Sequence, residues 1–118
     1  MIRTFIEVPL FSKQWKDLGL NDKDLFSLQG MLLKNPEAGP VIEGTGGIRK
    51  LRFAFANRGK SGSARVCYVD FAEYGVTYLI TVYQKSEKES LTAKEKAVLK
   101  QPVETLAQEV ARKRRKQQ

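Results

Sequence analysis

The sequence predicts an α+β fold in the order β-α-α-β-β-β-α. It has an antiparallel sheet of about four strands, two N-terminal helices on one face, and a C-terminal helix. Three observations carry this. Leu25, Leu28 and Leu32, and later Leu99, Val103, Leu106 and Val110, recur at spacings of three and four, which places each set along one side of a helix. Between these stripes, residues 48–83 contain three runs rich in Val, Ile, Phe, Tyr and Thr, separated by short polar links, as an antiparallel meander requires. The chain has 118 residues, 42% of them hydrophobic, enough for one core and one domain. Residues 1–100 read as that domain and residues 101–118 as its basic helical extension.

Each element has a local reason. Residues 2–8 are apolar and β-branched, a first strand that Pro9 ends. Ser12 is suited to cap a short helix that carries Trp15 on its inner side and stops at Gly19. Asn21 or Asp22 starts the second helix, with Phe26 and Leu33 beside its leucine stripe. Asn35-Pro36 ends it, and Gly39-Pro40 continues the turn. From Ile48 to Phe55, Leu51, Phe53 and Phe55 alternate with Lys50, Arg52 and Ala54. Asn57 to Ser63 reads as a hairpin loop, Ala64 to Phe71 as the third strand, Glu73-Tyr74-Gly75 as a tight turn and Val76 to Tyr83 as the fourth strand. Thr92 opens the last helix. Pro102 is expected to break or kink it, and Arg112 to Lys116 to fray. Two helices then cover one sheet face, and the other is expected to be left free for cations.

The formal net charge of +8 is concentrated. Residues 48–71 hold six Lys/Arg against one carboxylate, and residues 92–118 hold eight against three, while the segments between are nearly balanced. Two basic blocks point to a nucleic acid or another polyanion. Lys50 and Arg52 fall on the same side of a strand, about 7 Å apart. Cations on a strand face are common and most are only solvated. A pair focused in this way, with Arg65 on the next strand and Lys85 after the fourth, calls for an anionic partner. No apolar run approaches the ~18 residues of a membrane span, and Glu7 stands where a signal peptide would be apolar. A soluble, cytoplasmic protein is therefore expected, with no membrane partner. Cys67 is the only cysteine and reads as a small buried hydrophobe.

Several chemistries lack their residues. The chain has no histidine, so it offers no imidazole base, and one cysteine cannot build a zinc knuckle. Asp70 is the only carboxylate in the sheet block, too few for a two-metal nuclease. Gly59-Lys60-Ser61 is not a phosphate-binding loop, because Ala54 stands where the first glycine belongs and a strand follows. No metal and no cofactor is expected. Lys, Arg, Tyr and Ser can still promote RNA cleavage if the RNA's own 2′-hydroxyl is the nucleophile. Arginine forks hold phosphate oxygens, and a lysine among other cations is pushed toward its neutral, basic form.

The same residues carry a family resemblance. Asn35-Pro36-x-x-Gly39-x-Val41-Ile42-x-Gly44-Thr45-Gly46-Gly47-Ile48-Arg49-Lys50-Leu51-Arg52 resembles the HigB branch of the RelE/ParE toxin superfamily. So do Gly59-Lys60-Ser61-Gly62-Ser63-Ala64-Arg65-Val66-x-Tyr68 and Tyr78-Leu79-Ile80-Thr81-Val82-Tyr83-x-Lys85-x-Glu87 with Ser90-Leu91. The resemblance implies the toxin of a type II toxin–antitoxin pair. Such a toxin is a metal-independent endoribonuclease that cleaves mRNA in the ribosomal A site by 2′-hydroxyl attack and halts translation. It also implies a cognate antitoxin, often a helix-turn-helix protein as in HigA, with operator DNA contacted only through the toxin–antitoxin complex.

The resemblance assigns the basic second-strand positions to Lys50 and Arg52, the third-strand arginine to Arg65 and the following cation to Lys85. Arg52 and Arg65 would hold the scissile phosphate. Lys50 is the candidate base, and Lys85 would serve transition-state charge or the leaving group. The family's catalytic tyrosine falls on Leu91, so Tyr83 is the nearby substitute. Arg49, Arg58 and Lys60 would contact RNA backbone. The tail is open to three readings: a solvated helix packed on the domain, a ribosomal RNA contact through Arg112, Lys113, Arg114 and Arg115, or part of the antitoxin interface. The fold also hosts ParE-like topoisomerase inhibitors, and a non-catalytic RNA-binding relative stays open.

Overall fold

The first strand enters the sheet beside the last one. In the computed structural model, which describes residues 3–57, 60–84 and 91–117, the elements are β1 (Thr4–Glu7), α1 (Pro9–Asp17), α2 (Asp22–Lys34), β2 (Arg49–Asn57), β3 (Lys60–Phe71), β4 (Val76–Gln84) and α3 (Ala93–Gln117). Strand order is β1-β4-β3-β2. β2, β3 and β4 form the expected antiparallel meander, but β1 runs parallel to β4, so the sheet is mixed. The strand patterns hold no sign of this pairing, because parallel neighbours are joined only through a long crossover.

Local chemistry accounts for the first two helices. Pro9 does more than end β1: it is the first residue of α1, where its missing N–H costs nothing and its φ suits a helix. Ser12 is therefore inside α1 and does not cap it; its hydroxyl donates to Glu7 at 3.0 Å. α2 starts with a capping box, in which Asp24 N–H donates to the Asn21 side chain and Asn21 N–H to the Asp24 carboxylate, both at 2.9 Å. Leu28 and Leu32 are buried as the stripe requires. Phe26, however, is 77% exposed and Leu33 faces solvent, because their positions fall on the outward side of the helix.

The β2–β3 hairpin is tighter than its sequence suggests. Pairing continues to Asn57↔Lys60, so the polar run from Asn57 to Ser63 is mostly strand. The ring of Phe55 lies over its partner Gly62, where an added Cβ would meet it at 3.1 Å. The glycine makes room for the aromatic and does not mark a loop.

Two cores sandwich the sheet. On one side Phe11, Trp15, Leu28 and Leu32 pack on Leu51, Phe53, Val66 and Leu79; Trp15 stacks on Phe11 at 5.4 Å and donates from Nε1 to the Asn21 carbonyl. On the other side α3 lays Leu99, Val103, Leu106 and Val110 over Ile48, Cys67, Val69, Tyr78, Ile80 and Tyr83. That face is thus not left free for cations. α3 covers much of it, since an amphipathic helix of this length buries its stripe wherever apolar sheet is open. The helix runs unbroken through Pro102 and includes Arg112 to Lys116 in its last turns, to Gln117.

The segment between α2 and β2 works as a strap. The Tyr68 hydroxyl donates to the Pro36 carbonyl at 2.7 Å and accepts from Gly39 N–H at 3.1 Å. Lys50 N–H donates to the Pro40 carbonyl, and Ile42 N–H to that of Ile48. Thr45, fully buried, donates to the Ile42 carbonyl at 2.6 Å and accepts from Ile48 N–H at 3.1 Å. It closes the turn in which Gly44, Gly46 and Gly47 have positive φ. This strap sets where β2 begins, and hence where Lys50 and Arg52 stand.

Candidate active site

Alternation along β2 sends Leu51, Phe53 and Phe55 toward α1 and α2, and Lys50, Arg52 and Ala54 to the opposite side. Register then sets their neighbours. Lys50 pairs with Cys67, and Arg52 lies directly opposite Arg65, which in turn lies opposite Tyr83. Two arginines in this cross-strand relation have Cβ atoms about 5 Å apart, a repulsive arrangement when nothing neutralises it. Among the described residues no carboxylate forms an ion pair with Lys50, Arg52 or Arg65. The nearest polar support is Ser63, whose hydroxyl accepts from Arg65 at 3.5 Å. Asp70, the only carboxylate of the block, is instead held by Arg3 at 3.3 Å and by the Thr77 hydroxyl at 2.7 Å.

Arg52 and Ala54 are exposed, Lys50 and Arg65 half-buried. They form an open basic strip on the β2–β3 side, next to the part of the face that α3 covers. A cavity of about 320 Å³ between α1 and the start of α3 and one of about 130 Å³ at the far end of β4 are lined by other residues.

The remaining candidates divide. Arg49 faces the helix side and spends its guanidinium on the strap, donating to the Gly39 carbonyl at 2.8 Å and to that of Glu37 at 3.5 Å. It clamps the strap against the start of β2. Tyr83 is 3% exposed and set in the core beneath α3, next to Arg65 but one strand further from Arg52. Lys85 and Arg58 lie outside the described residues. Lys60 opens β3 opposite Asn57. Arg112, Lys113, Arg114 and Arg115 are exposed on the last turns of α3, which pack near Val76 and Tyr78. Along β4 that is five to seven residues from Tyr83, roughly 16–23 Å, so the tail does not join the Arg52–Arg65 row.

Burial also decides how Tyr83 titrates. Desolvation pushes its phenol up to about 12, with Cys67 and Glu95 adding to the rise and Arg65 opposing it. The fold thus favours the protonated form. Below pH 10 folded and unfolded chains both keep the proton. Between pH 10 and 12 only the unfolded chain loses it, so stability falls as pH rises. Tyr83→Phe is expected to fall less steeply than wild type across that window, as measured by urea unfolding at pH 9, 10 and 11. Parallel curves would show that burial does not hold the proton.

Sequence reasoning passed over Ser63, which strand alternation already places beside Arg65, and Glu95, which only the docking of α3 brings near Tyr83.

No protein-family model matches the chain. Among solved structures it is similar to a double arginine-to-alanine variant of the E. coli toxin RelE in the free state. The TM-score is 0.52 with 20% sequence identity, over 83% of this chain and 96% of that one. At that identity the match establishes the fold: this chain has the fold of RelE. No helix among the described residues is long and apolar enough to cross a membrane.

Proposed function

We propose that this chain is the toxin of a type II toxin–antitoxin pair and a ribosome-dependent endoribonuclease acting on mRNA. The observation that carries the reading is the Arg52–Arg65 pair, two cations held face to face on an open strip with no carboxylate between them. A phosphate removes their repulsion, and two guanidinium forks suit its oxygens. The RelE-like fold and the sequence resemblance support the same assignment.

In the proposed reaction the ribosome presents an unstacked A-site dinucleotide. The 2′-oxygen attacks the adjacent phosphorus while Lys50 takes the 2′-hydroxyl proton. Arg52 and Arg65 stabilise the charge that builds on the non-bridging oxygens. The P–O5′ bond then breaks, and the 5′-oxygen receives a proton, for which Lys85 is the candidate donor. The products are a 2′,3′-cyclic phosphate and a 5′-hydroxyl. An antitoxin of the helix-turn-helix, HigA-like kind would neutralise the activity and alone carry operator recognition.

The test is to incubate the chain with a defined mRNA, with and without programmed ribosomes, and to map ends by primer extension. Breaks only with ribosomes, ending in cyclic phosphates, are expected. Supercoiling by a bacterial topoisomerase inhibited with mRNA intact would replace this reading with the ParE-like one. RNA binding with neither effect would leave a non-catalytic relative.

A further inference from the structure

At the end of the sheet far from the Arg52–Arg65 row, Tyr74, Val76 and Tyr78 face Val110, Lys113 and Arg114 across a cavity of about 130 Å³. Its wall is aromatic and fixed. Tyr78 is buried and meets Phe71 edge-on at 5.8 Å, while Tyr74, following a single 3₁₀ turn and preceding Gly75, stays half-exposed. Its rim is cationic. Of the two cations lining it, Arg114 forms no ion pair among the described residues, and Lys113 reaches Glu109, one turn back, at 3.1 Å. A solvent-exposed pair of this kind is weak and yields readily to a stronger anion.

We propose that this cavity and its rim form a second nucleic-acid site, which takes one unstacked base of single-stranded RNA beside Tyr74 and holds the flanking phosphates with Lys113 and Arg114. Three features select that ligand. The cavity is well below the size of a pocket for a drug-sized molecule and suits a single planar ring. Its lining pairs two tyrosines with adjacent cations, the combination by which single strands are held without sequence preference. A duplex keeps its base faces stacked and could meet only the rim. The site lies roughly 20 Å from the arginine row along β4, so one strand of a few nucleotides can reach from one to the other.

The experiment uses the full chain carrying Arg52→Ala and Arg65→Ala, so that any binding read is not at the arginine row and the outcome is separate from whether that row cleaves RNA. The probe is a seven-nucleotide oligouridylate with a central 4-thiouridine. Cross-linking to Tyr74 is expected. Tyr74→Ala should weaken binding roughly 5- to 100-fold. Replacing Lys113 and Arg114 by serine should reduce the salt dependence by about 1.4 in slope. Because Tyr74 touches the core, Arg114→Glu, at a cavity-lining residue that is itself solvent-exposed, serves as a second variant, and it should also weaken binding. Affinity unchanged by both Tyr74→Ala and Arg114→Glu overturns the site. So does duplex RNA or polyglutamate competing as well as the single strand, since either would be read by the rim charge alone.

Discussion

Replacing Arg65 by alanine is expected to slow ribosome-dependent mRNA cleavage about 100- to 1,000-fold while leaving the folded state as stable as wild type, or slightly more so. The two effects have one cause. Arg65 sits directly opposite Arg52, and like charges in that position oppose each other. Removing one relieves the free protein and deprives the transition state of a fork on the phosphate. Arg65→Lys keeps the charge but loses the bidentate geometry, so it should fall between alanine and wild type. Single-turnover cleavage on programmed ribosomes gives the rate, and urea unfolding gives the stability. If activity and stability dropped together, the loss would be one of folding, and the arginine row would have no claim to chemistry. Cleavage within threefold of wild type would falsify the assignment outright.

The like-charge opposition at this row explains why part of the candidate site was legible in the sequence. Lys50, Arg52 and Arg65 are cations in segments whose other residues build a sheet, and strand alternation alone puts Lys50 and Arg52 on one side. Their conflict with the sheet is local and shows in the letters of the chain. Arg49 carries the same charge one residue earlier, yet its guanidinium closes the strap on the Gly39 and Glu37 carbonyls. Nothing in its type separates it from Lys50. Only the alternation does, and only once it is known that a strap crosses the helix side of β2.

Elements whose placement depends on distant partners were the least legible. The leucine and valine stripe of α3 announces an amphipathic helix, and the helix is present from Ala93 to Gln117. The stripe does not say which surface it meets. Its docking over Cys67, Ile80 and Tyr83 turns Tyr83 from a candidate beside the chemistry into a core residue. In the same way, β1 reads plainly as a strand, but its pairing with β4 follows from the return of the chain through α1, α2 and the meander. The reading of Pro102 as a break fails for a related reason: packing of the stripe on the sheet outweighs a local loss of about 3 kcal/mol in propensity and hydrogen bonding.

Gly39→Ala is expected to be the most damaging single-methyl change to the fold, costing about 1–3 kcal/mol and cutting cleavage with it. A Cβ at this position would stand 2.6 Å from the Lys50 carbonyl oxygen and 2.8 Å from its carbon. The obstacle is backbone, so no side-chain rotation relieves it, and either the strap or β2 must move. The strap is held by Tyr68 through Gly39 N–H and the Pro36 carbonyl, and by Arg49 through the Gly39 carbonyl, so displacement breaks several bonds together. β2 is joined to it through Lys50 N–H and the Pro40 carbonyl, so displacement also shifts Lys50, the proposed base. Gly30→Ala is the control. Gly30 lies in α2 with nothing within 4 Å of an added Cβ, and alanine there should stabilise by about 0.5–1 kcal/mol. Measured by urea unfolding, the two substitutions should move in opposite directions. A Gly39→Ala protein as stable as wild type would mean that the strap does not lie tight against β2, and that Lys50 is positioned by something else.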